Sequence, residues 1–181
     1  VLENGGAATY VAPLQAKGIK VLLTILGDWQ GIGVANMTDE QSTQFAAILA
    51  YAVNRYGLDG VGFDDEYANY SGSLVSDSFA KIIKKLHALM PSDKLITVFD
   101  WGNTSQIDAA ASAGIDFAYH GYFGSYYTSS GITGMTTNKW SPISFNLGNY
   151  NSTNNAESYA GSAFDDGYGA MMCFNLRTRN D

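Results

Sequence analysis

One cysteine among 181 residues leaves no room for an intrachain disulfide. Cys173 lies in "GAMMCFNL", whose apolar neighbours predict a small buried core residue. Charge is scarce as well, with Asp, Glu, Lys and Arg making up 15% of the chain against 46% for hydrophobic residues. That balance excludes a disordered chain and leaves enough apolar material for one sizeable core. Ten Lys and Arg face seventeen Asp and Glu, giving a net charge of −7. A nucleic-acid partner is therefore not expected, because phosphate backbones are held by cations. No apolar run approaches the roughly 18 residues that span a bilayer, so no membrane association is expected. The chain opens at Val1 without an initiator Met or a charged-then-apolar leader, so no signal peptide is visible. A soluble, acidic monomer forming a single domain over 1–181 is the expectation.

Alternation dominates what is present. "GIKVLLTILG" (18–27) reads as a strand buried on both faces, preceded by the helix-like "ATYVAPLQAKG". Thr38 and Gln41 form a capping box, followed by Phe45, Ile48, Leu49 and Val53 at helical spacing and a stop at Gly57. "LDGVGFDDEY" (58–67) supplies a second strand, and 76–89 a helix that ends at Pro91. Further strands are expected at 94–101, 115–124, 142–148 and 168–176, with helices at 104–114 and 153–167. Residues 125–141 read as a long loop of the kind that often carries function.

Strands separated by helices imply right-handed βαβ units and a parallel sheet, either doubly wound or closed into a (β/α)8 barrel. Polar and aromatic residues gather after many strand ends: Asp28 and Trp29, Asp64 to Glu66, Asp100 and Trp101, Tyr122, Asn146, Asn175. A site fed by many strands is the barrel arrangement. "GDWQGIGVAN" lacks both the glycine spacing of a dinucleotide fingerprint and a Walker lysine. Six strands fall short of eight, so the expected fold is an incomplete TIM barrel, missing one or two βα units at its start.

The chemistry concentrates in "LDGVGFDDEY". Strand side chains alternate, so Gly60, Gly62, Asp64 and Glu66 share one face and Val61, Phe63 and Asp65 the other. Asp64 and Glu66 would stand about 7 Å apart at Cα and repel one another in a partly dry barrel mouth. One of such a pair keeps a proton while the other stays ionised, as general-acid chemistry requires. The acidic run is also compatible with a helix start favoured by the dipole, or with a hard-cation site given further oxygen ligands.

This stretch resembles the fourth-strand signature of glycoside hydrolase family 18, Asp-x-x-Asp-x-Asp-x-Glu. "YGLDGV" and "FDDEY" are most similar to the endo-β-N-acetylglucosaminidases of the endoglycosidase H and F1 type. "GIKVLLTILGDWQG", the "YFG" at Tyr122 and "DDGYGAMMCFNL" extend the similarity over nearly the whole chain. The resemblance implies a partial catalytic domain that hydrolyses the GlcNAc-β-1,4-GlcNAc core of Asn-linked glycans. Catalysis would be retaining and assisted by the substrate, one of the exceptions to the two-carboxylate scheme. Glu66 would then be the acid, Asp64 the residue that orients the 2-acetamido group, and Tyr122 its hydrogen-bond partner. No metal or organic cofactor is implied, and the location would be secreted or periplasmic. Gly62 stands where the signature has its middle Asp, which should leave Asp64 less constrained and shift its pKa. A chitinase acting on chitin oligosaccharides and a non-hydrolytic glycan-binding protein on the same barrel are the rival functions.

Trp29 and Trp101 follow strands where sugar-stacking platforms occur, with packing under a loop as the alternative. Asp28, Asp100 and Asn175 are candidates for sugar hydroxyls, with local turn chemistry as the alternative. His120 shares a strand face with Tyr122 and is a candidate to line the site. His87 and the "KIIKK" charges read as a solvated helix surface.

Overall fold

The computed structural model describes residues 2–148 and 155–176. The first two residues of the helix expected at 153–167 lie outside them. A π-helical turn over Ala7–Val11 runs into the short helix α1 (Ala12–Gln15). Then follow β1 (Leu22–Ile25), α2 (Asp39–Tyr56), β2 (Gly60–Asp64), α3 (Ser78–Leu89) and β3 (Leu95–Asp100). The remainder is α4 (Ala109–Ser112), β4 (Phe117–His120), β5 (Trp140–Ser141), β6 (Ser144–Asn146), α5 (Ala156–Asp165) and β7 (Met172–Phe174).

Helix α2 starts as its capping box requires. The Thr38 hydroxyl accepts from Gln41 N, and the Gln41 side chain accepts from Thr38 N at 2.8 Å. Gly57, in the left-handed region at φ 63°, stops it. In α3, Phe79, Ile82, Ile83 and Leu86 repeat at i, i+3, i+4 and i+7 and are all fully buried. They pack on the outer face of the sheet, where Val61, Phe63, Ile96 and Val98 are equally buried. The Phe63 and Phe79 rings meet edge to face at 5.5 Å.

Strands β1 to β5 form a parallel sheet in which spatial order equals chain order. Each crossover adds its strand to the same side. That is how a barrel grows, whereas a doubly wound sheet reverses at a switch point. Strands β6 and β7 form a second parallel pair. Pro142, which has no N–H, and Ile143 separate β5 from β6. Met172 N bridges the break, donating to Ser141 Oγ at 2.9 Å and to Ile143 O at 3.2 Å. Among the described residues β1 pairs only with β2 and β7 only with β6, so this is an open arc of a (β/α)8 barrel.

That openness explains two departures from expectation. β1 is half-buried with Thr24 exposed, and so is not covered on both faces. Cys173 is exposed on the outermost described strand and is not a core residue. The helix expected at 104–114 is a 3-10 turn over Thr104–Gln106 followed by α4. Asp108 interrupts it by capping α4, accepting from Ala111 N at 2.7 Å. The long loop expected at 125–141 closes with a 3-10 turn (Thr137–Lys139) and β5. No helix among the described residues is long and apolar enough to cross a membrane.

Replacing Thr38 by Ala removes one half of the capping box and should lower unfolding free energy by about 1 kcal/mol. Urea denaturation checks this; an unchanged midpoint would mean that α2 does not depend on its cap.

Candidate active site

Strand β2 sorts its residues as alternation demands. Val61, Phe63 and Asp65 are buried on the helix side, while Gly62, Asp64 and Glu66 are half-buried on the other. Beyond the last strand residue, the chain stays bound to its neighbour. Gly27, Trp29 and Gly31 N–H donate to the Glu66, Tyr67 and Ala68 carbonyls at 2.8, 2.8 and 2.9 Å. The loop after β1 therefore holds the backbone on which Glu66 stands.

Asp64 Oδ1 is buried and has no hydrogen-bond partner among the described residues. Desolvation pushes its carboxyl up to about 6, with the Glu66 charge and then the Asp65 charge adding to the rise. The Glu66 charge also raises the Tyr67 phenol, mainly by direct repulsion of the phenolate. The Glu66 charge thus acts on Asp64, which holds its proton more tightly than a free carboxyl does.

Gly62 has a concrete neighbour. A Cβ there would lie 2.9 Å from Thr97 Oγ1, its register partner on β3. Any larger residue at 62 requires Thr97 to move, so the glycine and the threonine form a matched pair. Gly62 offers Asp64 no side-chain partner, and the rise in the Asp64 pKa comes from desolvation and from the charges of Glu66 and Asp65.

The ends of β3 and β4 carry an aromatic cleft of about 670 Å³, lined by Trp101, Tyr122, Tyr127, Trp140, His120 and the 129–131 turn among others. It borders the carboxylates' strand but does not include them. Asp64, Asp65 and Asp28 instead edge a smaller cleft of about 360 Å³. Tyr122 stacks on Tyr127 at 5.1 Å and meets Trp101 edge-on at 5.7 Å. His120 is 1% exposed and its Nδ1 accepts from Tyr122 N. That bond leaves the proton of the neutral ring on Nε2. Burial lowers the His120 pKa, against smaller opposing effects of the Ser125 backbone and the Asp100 charge. His120 therefore sits behind Tyr122 as a neutral support.

The other sequence candidates divide. Trp29 is 62% exposed, its backbone in the left-handed region at φ 66° and its ring 5.1 Å from Tyr67. It presents a face to solvent beside Glu66. Asp100 accepts from Thr104 Oγ1, Ser130 Oγ and Gly131 N at 2.6, 3.0 and 2.7 Å. Only the Thr104 contact is local; the other two pin the 129–131 turn against the cleft, which Asp100 also lines. Asp28 is similarly engaged with Gln30 N at 2.9 Å. Asn175, at φ 59°, donates to Asn146 Oδ1 at 3.0 Å, at the far end of the arc. Sequence reasoning missed Tyr67, Tyr127 and Trp140 as site residues. Tyr127 and Trp140 lay in the long loop flagged as functional, but nothing local marked Tyr127 as the residue that stacks on Tyr122. Among the described residues no group of three or more His, Cys, Asp or Glu could hold a metal ion.

The raised Asp64 pKa makes a stability prediction. The folded state holds this proton more tightly than the unfolded chain, whose carboxyl titrates near 3.8. The contribution is complete below 3.8 and is lost as pH rises to about 6. Asp64→Asn should therefore gain relative to the parent protein as pH rises through that window, as measured by thermal melts. A constant difference from pH 3.5 to 7 would contradict the burial of Asp64.

No family model matches the chain. Among curated proteins it is 39% identical over 179 residues to an endo-β-N-acetylglucosaminidase of Flavobacterium sp. (strain SK1022), covering 94% of this chain and 56% of that protein. It is 34% identical over 183 residues to endo-β-N-acetylglucosaminidase F1 of Elizabethkingia meningoseptica, covering 93% and 52%. The chain thus spans about half the length of the curated relatives it matches. Among solved structures, Bacteroides thetaiotamicron EndoBT-3987 in complex with Man9GlcNAc2Asn aligns with a TM-score of 0.74 and 30% identity, over 96% of this chain and 45% of that one. A Rhizomucor miehei chitinase, 14% identical, aligns with a TM-score of 0.72 over 96% and 82%, a likeness of fold. Over nearly its whole length, this chain is thus similar to proteins named endo-β-N-acetylglucosaminidase, each of which it matches over about half.

Proposed function

We propose that residues 1–181 form part of the catalytic domain of an endo-β-N-acetylglucosaminidase that cleaves between the two core GlcNAc residues of Asn-linked glycans. The observation that carries this reading is the pair at the end of β2: a desolvated Asp64, raised to about 6 in part by the charge of Glu66 two residues on. The relatives' names support the reaction class, and the Man9GlcNAc2Asn complex of EndoBT-3987 supports the substrate class.

In this reading the proton that the Asp64–Glu66 pair retains is delivered to the glycosidic oxygen by Glu66 as the bond to the anomeric carbon breaks. The carbonyl oxygen of the substrate's 2-acetamido group attacks that carbon and forms an oxazolinium ion. Asp64 accepts a hydrogen bond from the acetamido N–H and, when ionised, stabilises the cation. Glu66, now ionised, takes a proton from water as the water adds to the anomeric carbon, with net retention. Tyr122 bonds the acetamido oxygen, its backbone held by His120. Trp29 and Trp101 offer faces for sugar rings. Glycoproteins are met outside the cytoplasm, so the reading includes a secreted or periplasmic location and a monomeric enzyme.

Glu66→Gln in the full-length protein should lower hydrolysis of a high-mannose glycopeptide by about 10²–10⁴-fold, the range for a positioned general acid. Glycopeptide binding, measured by calorimetry, should be retained. Cleavage of chitin oligosaccharides alone would sink the N-glycan reading. Binding without cleavage by the unsubstituted protein would make the chain a lectin.

A further inference from the structure

Asp65 lies between the two proposed catalytic carboxylates, yet its side chain faces the other way and is only 8% exposed. Oδ1 accepts from the Tyr70 hydroxyl. Oδ2 accepts from Asn103 N at 2.9 Å and from Asn103 Nδ2 at 2.8 Å. The Tyr70 oxygen in turn accepts from Ala35 N at 3.0 Å. One buried carboxylate therefore ties together the loops that follow β1, β2 and β3. Gly102 completes the fit: at φ 70°, a Cβ there would lie 2.4 Å from Asp65 O.

The Asp65–Tyr70 bond closes a six-residue loop that contains Glu66. Within it, Tyr67 and Asn69 have positive φ values of 62° and 51°, a conformation that costs free energy and persists only when surrounding contacts enforce it. The ladder from Gly27, Trp29 and Gly31 grips the same loop from its other edge. A side chain in this place acts on catalysis through geometry, because small misplacements of a reacting group are costly.

We infer that Asp65 is the positioning residue of the active site: its three-loop clamp enforces the strained 66–69 turn and so fixes Glu66 relative to Asp64. This rests on the reading of Glu66 as the acid. Asp64, Glu66 and Tyr70 are the ionisable groups coupled to Asp65 or to its strand. The charge on Asp65 also contributes to the raised Asp64 pKa, whereas Tyr70 supplies only a hydrogen bond to the clamp.

The test compares Asp65→Asn and Tyr70→Phe in the full-length protein, with a high-mannose glycopeptide as substrate. Both should lower kcat by about 10²-fold, the scale of a 1 Å misplacement, with KM little changed. Amide hydrogen exchange at Gly27, Trp29 and Gly31, whose N–H groups bond the 66–68 carbonyls, should accelerate at least tenfold in both, while exchange in α2 and α3 stays as in the parent. The acidic limb of the kcat/KM profile should move to lower pH in Asp65→Asn alone. Unchanged kcat per folded molecule, or exchange accelerated uniformly through the fold, would overturn the inference. If the unsubstituted protein does not cleave the glycopeptide, the proposed function fails, and exchange alone decides whether Asp65 clamps the turn.

Discussion

Consecutive residues of extended chain point to opposite faces, and at the end of β2 three acidic residues meet that constraint at the mouth of a barrel arc. The middle one, Asp65, turns toward the helices and is satisfied by Tyr70 and Asn103. Its neighbours turn toward the open face, where Asp64 lacks partners enough to remain an ordinary carboxylate. A shift of one residue in register would exchange these roles, leaving a satisfied carboxylate in the site and two unpaired charges against the core. Register here is held by parallel pairing of β2 with β1 and β3, and by the buried Val61 and Phe63 locked under α3. The packing of the core and the chemistry of the mouth are thus consequences of the same alternation.

Position 62 shows how the mouth tolerates a missing carboxylate. Thr97 Oγ1 occupies the place beside the glycine, so β2 and β3 approach without a side chain between them. With no donor or charge-sharing partner at 62, Asp64 is governed by desolvation and by the charges of Glu66 and Asp65. Both Asp64 and Glu66 are present beyond the glycine.

Much of this was legible in the sequence because local rules dominate it. The Thr38 capping box, the Gly57 stop, the apolar face of α3 and the β2 alternation all follow from residue order alone. The exposure of Cys173 and Thr24 was not legible, since it depends on how many strands flank β7 and β1 in space. Asp100 lines the aromatic cleft, as its place after a strand suggested, but its partners Ser130 and Gly131 could not be foreseen, since they lie thirty residues on in a loop without periodicity. The Asp65 clamp was hidden for the same reason. Alternation showed which way Asp65 points, while Tyr70, Asn103 and Ala35 come together only through the fold.

The central claim is that β2 delivers Asp64 into a dry, negatively charged mouth beside Glu66. The most direct measurement is a carbon-13 NMR titration of the Asp64 side-chain carboxyl in the folded full-length protein. The account predicts a midpoint near 6, set by desolvation first and by the Glu66 charge second. A midpoint near the ordinary 3.8 would mean that Asp64 is solvated and uncoupled, and would contradict it.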